Sequence, residues 1–141
     1  MEYAEYRNLM VDTGKSLFDR GFSVGGGGNL SLRLPDGMIL ATPTGSSLGR
    51  LDPADLSVAT LSGELISGKK PSKEVAFHLA LFRVKADCGA IVHLHSTYLT
   101  ALSCLEGLQV EDVIKPFTPY YVMRVGKMPL IEYYPPGSIR L

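Results

Sequence analysis

Residues 29–42 read NLSLRLPDGMILAT. Leu30, Leu32 and Leu34 alternate with polar residues at the period of a half-buried strand. Pro35-Asp36-Gly37 is a turn sequence, and Met38–Thr42 is a second apolar run, so the stretch predicts a β-hairpin. A second hairpin follows, with Ser57–Leu61 and Glu64–Ile66 flanking Ser62-Gly63. Upstream, Tyr6, Leu9, Met10, Thr13, Leu17 and Phe18 recur at three- and four-residue steps, which predicts a helix over 3–20 closed by Gly21. Asp52-Pro53 suits the start of one helical turn. Ser72 is a fitting N-cap for a helix carrying Val75, Leu79 and Phe82 on one side. Beyond it, GAIVHLH at 89–95 reads as a buried strand, Thr97–Leu105 as a helix and Pro129–Tyr133 as a strand after a loop-rich stretch. Helices interleaved with hairpins in this order fit an α/β fold.

The 141 residues carry 14 basic and 14 acidic side chains, giving no electrostatic footprint for nucleic acid, and 45% are apolar. No apolar run reaches the length of a bilayer span. The first 20 residues mix charge through every turn, which argues against a secretory leader. Cys88 and Cys104 lie in apolar stretches outside any disulfide framework, which points to a reducing, cytoplasmic setting.

Histidine is scarce: His78, His93 and His95. His93 and His95 are two apart on a predicted strand, so their side chains leave one face and can converge on one ion, or be satisfied by hydrogen bonds near a strand end. His78 lies mid-helix in VAFHLAL and reads as structural. Cys88, His93, His95 and Cys104 match no structural zinc spacing. Glu74 at a helix start is either a stabilising first-turn acid or, beside a metal, a ligand or general base. Ser72 and Lys73 there form either a cap with a solvated lysine or an anion site. Gly25–Gly28 with Asn29 is a flexible connector or a backbone nest. It is not a P-loop, since no Gly-Lys-Ser/Thr follows, nor a dinucleotide fingerprint, because a helix precedes it and a hairpin follows. Thr42-Pro43-Thr44-Gly45-Ser46-Ser47 is a further loop rich in hydroxyls and glycine.

Taken in order, Gly28-Asn29-Leu30-Ser31, Thr42-Pro43-Thr44-Gly45, Lys70-Pro71-Ser72-Lys73-Glu74 and His93-Leu94-His95-Ser96 resemble the signature of the class II aldolase and adducin family. Pro71–Glu74, His93–Thr97 and Phe117–Gly126 most resemble its branch of 3-oxo-tetronate 4-phosphate decarboxylases; sugar-phosphate aldolases usually carry a second serine where Lys73 stands.

The resemblance implies an α/β/α sandwich with a central mixed, largely antiparallel sheet and helices on both faces. It treats residues 1–141 as one domain that lacks its C-terminal part. It implies a divalent metal, normally zinc, on His93, His95 and a third histidine beyond Leu141, with Glu74 as acid/base and metal contact. Substrate phosphate would lie against Gly28, Asn29, Thr44, Gly45, Ser72 and Lys73. The active unit would be a homotetramer, with Tyr120 or Tyr121 reaching a neighbouring subunit. The implied reaction is metal-dependent decarboxylation of 3-oxo-tetronate 4-phosphate to dihydroxyacetone phosphate and CO2 through an enediolate. A fuculose- or ribulose-phosphate-type aldolase or epimerase, and a non-catalytic adducin-like interaction domain, are the alternatives. No nucleic acid or membrane partner is expected.

Overall fold

The structure is a computed structural model and describes residues 2–135 and 138. Each predicted hairpin forms, as β1 (Asn29–Arg33) with β2 (Ile39–Ala41) and β3 (Ser57–Ala59) with β4 (Leu65–Ser67). β5 (Ala90–His93) joins the free side of β1, giving the order β4-β3-β2-β1-β5. All four strand pairings are antiparallel. α1 (Ala4–Asp19) and α2 (Val75–Val84) precede and follow the four-strand meander.

Strand alternation sorts the core into two clusters. One joins Leu30, Leu40 and Val58 to Met10 of α1 and to Leu48, Leu51 and Leu56. The other joins Ile39 and Ala41 to Val75, Leu79 and Phe82 of α2. The sheet is thus covered by α1 on one face and by α2 on the other, as the α/β/α expectation requires.

α1 needs close approach. A Cβ on Gly14 would lie 2.8 Å from the Leu48 carbonyl, and one on Gly49 would lie 2.5 Å from the Phe18 ring. The helix therefore packs directly on the 3-10 turn Leu48–Arg50. Arg7, 5% exposed, donates to the carbonyls of Pro53 (2.7 Å) and Leu56 (3.0 Å). Leu9, expected on the inner face, is exposed because Arg7, Met10 and Gly14 take that face.

Other expectations change. Asp52-Pro53 starts no helix; the Asp52 carboxylate accepts from the Ala54 amide at 2.8 Å and closes a turn. α2 begins at Val75 because the Val75 amide returns to the Ser72 carbonyl at 3.1 Å, leaving Lys73 and Glu74 in a turn. α3 spans Thr97–Ser103. Pro129–Tyr133 forms no strand: its pairing reduces to a bond from the Leu130 amide to Val110, and Pro129 has no amide to extend a ladder. α4 (Pro119–Arg124) lies in the stretch expected to be loop. Thr118 caps it by accepting from the Tyr121 amide at 3.2 Å, with Pro119 at the first helical position. Residues up to His95 and residues Ser96–Tyr134 form separate compact units, and α3 and α4 belong to the latter. Among the described residues no helix is long and apolar enough to cross a membrane.

Candidate metal centre

β1 and β5 pair so that Asn29 stands opposite His93. Gly28, just before β1, permits this: its φ is +84°, and a Cβ there would lie 2.9 Å from the His93 carbonyl. Glu74 occupies the N-cap position of α2 and points across to the same place. The Asn29 side-chain amide donates to Glu74 Oε2, which also lies 3.2 Å from His93 Nδ1. Asn29 Nδ2 is itself 3.2 Å from His93 Nδ1.

The expected strand over 89–95 ends at His93, so His95 lies just past the end of β5, yet its ring centroid is 5.0 Å from that of His93. Glu74, His93 and His95 thereby bring one ligand atom each to within 4.8 Å of one another. Cysteine has no part in this cluster; Cys88 and Cys104 are free thiols.

One carboxylate and two imidazoles are a donor set that divalent transition metals favour, and small side-chain movements bring such a spacing to ligand distances. Burial pushes the His93 imidazole below its ordinary pKa, and neighbouring His95 adds to this while Glu74 opposes it. The neutral ring is the form that ligates a metal, so the electrostatics agree with the donor geometry. Asn29, 3% exposed, leaves its Oδ1 without a partner among the described residues, an acceptor held beside the cluster.

The expected phosphate residues fall into two groups. Gly28 and Asn29 adjoin His93. Thr44 and Ser72 lie on two loops joined by an antiparallel bridge between Pro43 and Pro71: the Thr44 amide donates to the Lys70 carbonyl (2.9 Å) and the Ser72 amide to the Thr42 carbonyl (3.1 Å). Gly45 turns the first of these loops with φ +71°. Ser72 and Lys73 line a cavity of about 450 Å³ together with Lys70 and Arg83; Glu74, His93 and His95 are not on its wall. The glycine run makes a turn in which the Gly27 amide donates to the Val24 carbonyl (3.0 Å) and the Gly27 carbonyl accepts from Ser23 Oγ (2.7 Å). Tyr120 is 70% exposed on α4. Tyr121 is half-buried, and its hydroxyl has no partner among the described residues.

His78 is the largest surprise of the site region. It is wholly buried and bonded to Ser31 Oγ at 2.7 Å, a pairing that nothing in VAFHLAL announces. Asn29 and Ser31 two apart on β1, and Glu74 and His78 four apart at the start of α2, form the only available hint.

The profile of the Class II Aldolase and Adducin N-terminal domain matches residues 8–141. The chain belongs to the class II aldolase and adducin family. Among family members, a 3-oxo-tetronate 4-phosphate decarboxylase of Pectobacterium atrosepticum is 66% identical over 135 residues, 96% of this chain and 62% of that protein. An L-fuculose phosphate aldolase of Methanococcus maripaludis is 43% identical over 126 residues, 89% of this chain and 66% of that protein. The crystal structure of YgbL from Escherichia coli superposes with a TM-score of 0.93 at 57% identity, covering 97% of this chain and 66% of that one. The chain thus spans less than two thirds of the length of the curated decarboxylase.

Proposed function

We propose that this chain carries part of the active site of a metal-dependent carbon–carbon lyase that converts 3-oxo-tetronate 4-phosphate to dihydroxyacetone phosphate and CO2. The observation that carries the reading is the convergence of Glu74, His93 and His95 in a chain 66% identical to a decarboxylase of that name.

In the reaction the bond to the carboxylate carbon breaks, CO2 departs, and the electron pair remains on the substrate as an enediolate that takes a proton at carbon. The chemistry a divalent ion supplies when bound is Lewis acidity toward the developing oxyanion. His93 and His95 would hold that ion, with Glu74 as the third contact in this chain. Glu74 accepts from the Asn29 amide, and we assign its carboxylate the role of delivering or receiving the proton. Gly28, Thr44, Gly45, Ser72 and Lys73 are our candidates for the phosphate, with Lys73 supplying charge and the paired loops supplying hydroxyls and amides.

Zinc as the ion, a homotetrameric assembly with Tyr120 or Tyr121 at a neighbouring subunit, a further histidine ligand outside these 141 residues and a cytoplasmic location complete the reading by family resemblance. Aldol cleavage of a sugar phosphate is the second reading, favoured by 43% identity to a fuculose phosphate aldolase. It passes through the same enediolate and differs in the group that leaves.

A coupled assay that follows dihydroxyacetone phosphate and CO2 together decides between them. Equal yields of both, removed by a chelator and restored by a divalent ion, are expected. Glu74→Gln should lower turnover by about 10²–10⁴-fold. Aldehyde release without CO2 would sink the decarboxylase and favour the aldolase.

A further inference from the structure

The layer between α2 and the sheet is apolar at Ala41, Leu79, Phe82 and Ile91, yet a wholly buried polar pair lies within it. His78 is 0% exposed, Ser31 is 2% exposed, and His78 Nδ1 lies 2.7 Å from Ser31 Oγ. His78 Nε2 has no partner among the described residues. Burying an imidazole with one nitrogen unpaired is costly, and an apolar pair of the same volume would fill this layer more favourably. Packing alone therefore gives no reason for the pair.

Its position does. Asn29 and Ser31 leave the same face of β1, two residues apart. Glu74 and His78 are four apart, and Glu74 has helical backbone angles (φ −81°, ψ −8°), so the two side chains stack one turn apart on the sheet-facing side of α2. Asn29 bonds to Glu74, and Ser31 bonds to His78. Three side-chain ties about one turn apart thus fasten α2 to β1: Asn29 to Glu74, which is the site itself, Ser31 to His78, and Arg33 to the Phe82 carbonyl at 2.6 Å; Ser31–His78 is the tie next to the site. Apolar contacts are non-directional and allow one element to slide on another; a buried hydrogen bond does not.

We propose that the Ser31–His78 hydrogen bond is a positioning device that sets the height of α2 along β1 and so holds the Glu74 carboxylate on Asn29 and His93. His78 is a positioning residue: it acts through the placement of Glu74. The consequence for metal binding rests on the function proposed above, whereas the placement itself does not.

The test uses two readouts on the whole protein. The first needs no metal: ¹⁵N NMR of the Asn29 side-chain amide, whose bonded proton is shifted downfield in the parent and loses that shift in Glu74→Ala. The double variant Ser31→Ala/His78→Phe keeps the layer filled but removes the tie, and it should lose the shift. His78→Asn places an amide oxygen where Nδ1 stood and should retain it. Ser31→Ala alone, which removes only a hydroxyl oxygen, serves if the double variant does not fold. An unchanged Asn29 shift without the tie would overturn the proposal, as would equal loss in His78→Asn and His78→Phe. The second readout is Co²⁺ affinity, followed by its visible absorption. Loss of the tie should weaken it about tenfold, and His78→Asn should recover it to within about threefold of the parent. Co²⁺ affinity unmoved by Glu74→Ala would instead defeat the metal reading, with the Asn29 resonance still deciding the placement.

Discussion

Three histidines lie close together here, and burial separates their tasks. His93 is half-buried beside Glu74 and His95, while His78 is wholly enclosed. Burial drives the His78 imidazole down to about 4 from an ordinary 6.5, with His93 adding to the effect and Glu74 opposing it. The sign of the stability effect follows directly. Between these pH values the unfolded chain binds a proton at His78 and the folded chain does not, so stability rises with pH through the window. It is fully present above about pH 6.5 and falls as the pH drops toward 4, by up to about 3 kcal/mol from this group. Denaturant unfolding in a chelator from pH 7 to 4 should show the parent losing stability more steeply than His78→Asn, by about one proton. Parallel pH profiles would refute this. The sequence suggests that His93 and His95 can converge because they are two residues apart, and they do come together although His95 lies past the end of β5. The Ser31–His78 bond was not legible in the sequence, since a serine and a histidine 47 positions apart carry no mutual pattern.

Elements show a similar division. α1, the hairpins and α2 follow from periodicity and turn residues, and their observed limits differ from expectation by a few residues. What periodicity does not encode is contact distance. Gly14 sits inside α1, where glycine costs about 1 kcal/mol against alanine, and propensity alone would favour its replacement. The Leu48 carbonyl 2.8 Å from any Cβ at that position reverses the preference. Gly14→Ala should therefore destabilise the protein by about 1–3 kcal/mol, measured by urea unfolding. A stabilised variant would mean that α1 does not lie directly on the 3-10 turn. Arg7 belongs to the same group of hidden facts: it interrupts the apolar stripe, yet its guanidinium satisfies carbonyls of Pro53 and Leu56. α4 falls where loop was expected: Thr118-Pro119, a cap followed by proline at the first position, is its one local signal, and six residues without an apolar stripe give periodicity nothing to detect. The Pro129–Tyr133 run had β-forming composition and lacks a ladder, because composition does not supply a partner strand.

Over the whole molecule, burial is uneven. Ile39, Leu40 and Ala41 of β2 are completely buried, whereas neither α3 nor α4 contains a buried residue. Amides held by few buried contacts exchange through local openings of low free energy. Hydrogen exchange should find the β1 and β2 amides protected about 100-fold or more above those of α3 and α4. Equal protection would show that the two units open together. The sequence by itself determined the order of elements from α1 to α3, the hairpins, the α/β class and, through four ordered motifs, the family, because local geometry and motif spacing are properties of neighbours along the chain. Only the tertiary structure decided that Asn29 meets Glu74, that Glu74 meets His93, that Arg7 and Gly14 anchor α1 and that Ser31 fastens α2 through His78. Those contacts depend on strand register and helix height, which arise when distant segments pack and which no local pattern specifies.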